Sequence, residues 1–167
     1  YKLIKTDMPN RFAKITANNY RIISILLLVG FAQILRIHHL DHESLWMDEI
    51  RQTSFYANPL TEIIDNSASQ NQPPLDYWIG HIINYCSTSD FAVRFPAALF
   101  GTGSVFLLVM LMSRISSWPV ACSFGIISAL LPFNLYYSQE ARLYAITVFL
   151  FLCILWTLNW VLSSYRI

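Results

Sequence analysis

Charge is scarce in this chain. Only 13% of the 167 residues are Asp, Glu, Lys or Arg, and the formal net charge is +1. No acidic polymer is implied as a partner, and no basic run alternates with aromatics as a nucleic-acid groove requires. Cysteine is rare and scattered, with Cys86, Cys122 and Cys153 far apart and none at metal-ligand spacing. Small buried thiols are therefore expected rather than a disulfide or a metal site. No internal repeat, low-complexity segment or second soluble domain interrupts the sequence. No cleavable signal pattern is read either, because the first apolar run is too long and lacks small-residue cleavage chemistry after it. The chain opens on Tyr1 rather than Met, so a processed or trimmed product is expected.

What is present is apolar and comes in blocks. Hydrophobic residues make up 55% and aromatics 15%, with a mean hydropathy of +0.44. That pattern predicts an all-α, polytopic membrane helix bundle forming a single membrane domain over 1–167. Residues 1–21 carry Lys2, Lys5, Arg11, Lys14 and Arg21 against the single acid Asp7. Basic residues before a span place this tail on the cytoplasmic side. A first span over 22–40 is long enough to cross a core of about 30 Å. Arg36, His38 and His39 near its end are expected to snorkel to the far headgroups.

An outer loop over 41–94 follows. In it, 47–57 reads as a short helix with Asp48, Arg51, Gln52 and Phe55 on one face. Asn58-Pro59 reads as an N-cap and a proline at the first helical position of a second helix, running to about Asp65. Residues 67–74 read as a loop. The 74–86 stretch places Leu75, Trp78, Ile79, Ile82 and Ile83 on one helical face and Asp76, Tyr77, Gly80, His81 and Asn84 on the other. It is too short to cross and is expected to lie in the interface. Spans over 95–112, 119–136 and 143–162 complete a four-span topology. Helix length and amphipathicity decide for four spans over five; the balance of Lys and Arg is the same in both.

With four spans, Asp48, Glu49, Asp76, His81, Glu140 and Arg142 share one layer at the outer surface. Ionisable groups at a membrane edge are costly unless solvated or paired, so a convergent set is a functional candidate. A carboxylate there can serve as general base on a hydroxyl or amine. Arginine can clamp a phosphate, and Trp46, Tyr137 and Tyr144 suit a place where a sugar or headgroup meets the bilayer. The bland readings are a solvated acid pair on a loop, a charge pair at a helix end for Glu140 and Arg142, and a solvated His81.

Four segments stand in order: Leu45-Trp46-Met47-Asp48-Glu49; Gln72-Pro73-Pro74-Leu75-Asp76-Tyr77-Trp78 with His81; Arg94-Phe95-Pro96-Ala97-Ala98-Leu99-Phe100-Gly101; and Tyr137-Ser138-Gln139-Glu140-Ala141-Arg142-Leu143-Tyr144. In order and spacing the chain resembles the N-terminal part of a GT-C membrane glycosyltransferase, in the branch of the dolichyl-phosphate-mannose protein mannosyltransferases and aminoarabinose transferases. The resemblance implies transfer of a sugar from a polyprenyl-phosphate donor, at the outer leaflet and with inversion, to a lipid, protein or glycan acceptor. By the same resemblance Asp48 is the catalytic base, Glu49 its positioning neighbour and Glu140 the acid of the second loop. Arg142 stands near the donor phosphate, with His81, Arg94, Gln72, Tyr137 and Tyr144 in supporting or substrate-binding positions.

There are departures. Gln72 stands where His or Lys often precedes the two prolines, and Asp76 where an aromatic is common. Family enzymes also have many more spans. The alternative is a truncated relative acting as a non-catalytic subunit among other membrane subunits; a proton pathway is the third reading. No cofactor is required. A divalent cation between Asp48, His81 and Glu140 is chemically feasible, though no spacing demands it.

Overall fold

The computed structural model describes residues 8–165, with side chains described from Asn18 onward; Lys2, Lys5 and Asp7 of the basic tail lie outside the described residues. The architecture is all-helical: α1 (Met8–Ile37), α2 (Met47–Thr53), α3 (Leu60–Ser69), α4 (Leu75–Cys86), α5 (Asp90–Ile115), α6 (Trp118–Leu130), α7 (Pro132–Tyr137) and α8 (Tyr144–Ser164). Among the described residues three stretches are long and apolar enough to cross a membrane: Asn18–Ile37, Asp90–Ile115 and Tyr144–Ser164. Leu26, Leu27, Ile34, Phe151, Ile154 and Trp160 on them point outward and are exposed. A surface of that composition is stable in lipid, not in water. The protein is a helical membrane bundle.

The fourth expected span is not one helix. α6 ends at Leu130, and Leu131 is extended (φ −61°, ψ 118°) before Pro132 opens α7. Proline lacks an N–H and its ring pushes the preceding residue out of the helical region, so the break is dictated locally. Hydropathy over 119–136 does not register it. α1 also stops earlier than expected, at Ile37, where His39 takes a left-handed conformation (φ 58°). Arg36 does not snorkel. It is 1% exposed and its Nη1 donates to the carbonyl of Ala32 at 3.0 Å.

α5 is the central post, with α1, α6 and α8 packed around it. Small residues make close approach possible. On α6, Ala121, Gly125 and Ala129 are buried at four-residue spacing, the pattern that lets membrane helices pack backbone to backbone. They meet Leu28 and Ala32 of α1 and Val105 and Val109 of α5. A Cβ on Gly125 would fall 2.4 Å from Val109 Cγ2 and 2.6 Å from Leu28 Cδ2. Gly125→Leu should therefore cost about 1–3 kcal/mol by overpacking, read as a lower unfolding midpoint in mild detergent. An unchanged midpoint would mean α6 does not seat here.

The helices between α1 and α5 pack on the N-terminal end of α5. α3 starts one residue later than expected, with Pro59 itself at the N-cap, and runs on to Ser69. The extension carries Ser67, which is buried and donates its hydroxyl to the Ile64 carbonyl at 2.9 Å, while Ile63 packs against Tyr56, Tyr77 and Val93. α4 is 12 residues long, about 18 Å at 1.5 Å per residue and too short to cross. Its polar face turns inward: Tyr77, Gly80 and His81 are buried, while Ile82 and Tyr85 are exposed.

Candidate functional site

Glu49 is where the two acidic segments meet. It is third in α2 and caps its own helix by accepting from the Trp46 N–H at 3.3 Å. Oε1 accepts from Arg94 Nε at 3.0 Å and from the Ala141 N–H at 2.7 Å. Oε2 accepts from Arg94 Nη2 at 2.7 Å. Burial alone would raise the Glu49 pKa, but the Arg94 and Ala141 hydrogen bonds and the Arg94 charge hold it below its ordinary value. Fully buried and fully bonded, this carboxylate is a frame element with no lone pair left for a substrate proton.

Arg94 completes the frame. Besides Glu49, its Nη1 donates to the carbonyls of Leu40 (2.9 Å) and Glu43 (2.7 Å), and its Nη2 to that of Ser44 (3.3 Å). All five guanidinium donors are thereby engaged. The substrate-binding role expected of Arg94 has no donor to serve it; the residue staples the first loop to α5. Gln139 does likewise for the second loop, donating through Nε2 to the carbonyls of Leu35, Arg36 and His38 at 3.1–3.3 Å. Those carbonyls end α1 and have no helical partner.

With the frame set, Asp48 and Arg142 come together. Asp48 Oδ2 lies 3.3 Å from Arg142 Nη1, with the Asp48 side chain 42% exposed. The Arg142 Cζ sits 5.7 Å from the centre of the Tyr144 ring, and its Nε has no partner. A small cavity of about 30 Å³ beside it is lined by Gln52, Tyr56, Asp76 and Arg142. Gln52 Nε2 donates to Asp76 Oδ2 and to the Tyr56 hydroxyl at 3.2 Å. Burial raises the Asp76 pKa, against the opposing pull of Gln52, nearby N–H groups and the Arg142 charge. Asp76 belongs to the charged layer expected from the sequence; Gln52 is the addition, and its place four residues after Asp48 on the same helical face is the signal that points to it.

The remaining candidates divide. Tyr137 and Tyr144 stack edge to face at 4.6 Å and line an apolar groove of about 440 Å³ between α5, α7 and α8, with Arg36 in its wall. Gln72 accepts from the Tyr77 hydroxyl at 2.9 Å and braces the start of α4. His81 is buried with its Nδ1 2.7 Å from the Tyr56 carbonyl oxygen, so it supports α4 rather than facing Asp48. Glu140 turns away from Arg142 into a different cavity. Asp48, His81 and Glu140, between which a divalent cation is chemically feasible, face different surroundings, and no group of three or more His, Cys, Asp or Glu among the described residues is placed to hold a metal. The three cysteines are unpaired but not buried as expected: Cys86 is exposed, and Cys122 and Cys153 are half-buried. Compared with known proteins, the chain matches no family model, no curated protein and no solved structure.

Proposed function

We propose that this chain is a GT-C-type glycosyltransferase relative that transfers a sugar from a polyprenyl-phosphate donor to a hydroxyl or amine acceptor. The observation that carries the reading is the Asp48–Arg142 pair at 3.3 Å, with Asp48 42% exposed and Arg142 largely buried. Arg142 also sits against Tyr144, at the mouth of the apolar groove. In this reading α1 enters from the cytoplasmic side, the acids lie at the outer face, and α4 rests in the interface with Trp78 and Ile82 toward lipid.

Without substrate, Arg142 neutralises Asp48. An arriving donor phosphate draws the guanidinium to itself, since a phosphate offers a second, stronger set of acceptors. Asp48 is then free to take the acceptor proton as that acceptor attacks the anomeric carbon. The bond from that carbon to the phosphate oxygen breaks, and the polyprenyl phosphate leaves with the electron pair. Its charge is held by Arg142. Asp76, fixed by Gln52, backs Arg142 from behind.

The test is sugar transfer from a polyprenyl-phosphate sugar by the intact protein. Arg142→Met should cost about 10²–10³ in turnover, the scale of losing one charge-stabilising donor, and Arg142→Lys should recover part of it. Full turnover in Arg142→Met, or no transfer by the unaltered protein from any polyprenyl-phosphate sugar, would sink the reading.

A further inference from the structure

A second cavity, of about 460 Å³, lies beyond the C-terminal end of α1, and nothing in the reaction above uses it. Its floor is Glu140, only 6% exposed. The Tyr136 hydroxyl approaches this carboxyl, yet neither carboxylate oxygen has a partner in hydrogen-bond geometry. Arg94 stands in the same wall but is wholly committed to Glu49 and the loop carbonyls. Arg142 opens into the cavity with Asp76 instead. Burial raises the Glu140 pKa, and a cation docked against its two unpartnered oxygens would offset the cost of holding the charge there.

The cation is organic. No three ligating side chains among the described residues are placed around one ion, whereas Trp46 and Tyr136 present aromatic surface to the same space, which favours an ammonium group. At the mouth stand His38, His39 and His42, all exposed. Their rings are clustered, with centroids 4.0 Å apart for the first pair and 5.1 Å for the second. Imidazole N–H groups there can donate to an anion a few atoms from the ammonium. Finally, the cavity opens just past the end of the apolar span Asn18–Ile37, at the depth where headgroups lie.

We propose that this cavity binds a phosphoethanolamine headgroup, its ammonium on Glu140 and its phosphate at the His38–His39–His42 cluster. A primary ammonium can donate to both free oxygens of Glu140. A trimethylammonium, with no N–H, cannot. The site is separate from Asp48 and Arg142 and stands or falls without the transferase reading.

The experiment uses the intact protein in mixed bilayers of phosphatidylethanolamine and phosphatidylcholine, with retained lipid counted by native mass spectrometry. The expected result is at least tenfold enrichment of the ethanolamine lipid, abolished in Glu140→Gln and weakened in His42→Ala. Soluble glycerophosphoethanolamine is titrated in parallel. Displacement of the lipid by it at micromolar concentration would assign the site to a free headgroup. Displacement only at far higher concentration would assign it to the membrane lipid. Equal retention of the two lipids by the unaltered protein, or enrichment unchanged in Glu140→Gln, overturns the proposal. If Glu140→Gln does not fold, the two-lipid comparison on the unaltered protein decides alone.

Discussion

Arg94→Leu should leave the protein without a stable first loop, at a cost of about 3–5 kcal/mol. The substitution strands Glu49, which is fully buried and has no other cation within bonding distance among the described residues. It also removes three donors from the carbonyls of Leu40, Glu43 and Ser44. Glu49→Gln should be milder, because an amide still accepts from Ala141 and Arg94. Combining Arg94→Leu with Glu49→Leu should recover only part of the loss, since the stranded charge disappears but the three loop carbonyls stay unserved. Thermal unfolding in detergent measures all three variants. A melting point for Arg94→Leu close to that of the parent would refute the frame.

The same pair sets an acid dependence. Glu49 is held below its ordinary pKa in the folded state, so the unfolded chain binds more protons as pH falls. Its contribution is therefore complete above the unfolded carboxylate value, about 4.3, and is lost as pH falls through the lower folded value. The stability gap between the parent and Arg94→Leu should narrow across that window.

Much of the fold is legible in the sequence because lipid imposes length and composition directly on helices. The apolar runs at α1, α5 and α8 are read from hydropathy, and α4 from its two-faced pattern. The helix break at Leu131-Pro132 is local stereochemistry inside an apolar run, where hydropathy is blind. Direction within loops is less legible still. Glu140 and Arg142 are two residues apart in a segment of bends, so spacing alone could not say that one faces three histidines and the other Asp48. Asp48 and Glu49 are adjacent on α2 and turn about 100° from each other at 3.6 residues per turn. One is thereby buried and consumed while its neighbour stays open. Arg94 carries an arginine's chemistry, but its five donors are spent on partners more than 40 residues away, and only tertiary structure reveals that.

That division makes Asp48→Asn the sharper test of chemistry. In the proposed reaction Asp48 takes the acceptor proton, and an amide cannot. Turnover should fall about 10²–10⁴-fold, the usual contribution of a positioned general base, or about 2.7–5.4 kcal/mol of barrier at 1.36 kcal/mol per tenfold. The fold should barely notice. Asp48 is 42% exposed and has one ion pair at 3.3 Å, and exposed pairs contribute only about 0–1 kcal/mol. Asp48→Asn and Arg94→Leu should thus separate cleanly: the first loses rate and keeps its melting point, the second loses its melting point and takes the rate with it. Asp48→Glu is the discriminating control. It keeps the base but moves it by one methylene, so it should retain some transfer if proton removal is the role and position sets the rate. Were Asp48→Asn instead to melt early at normal turnover, Asp48 would join Glu49 as a frame residue, and the base would have to be sought elsewhere.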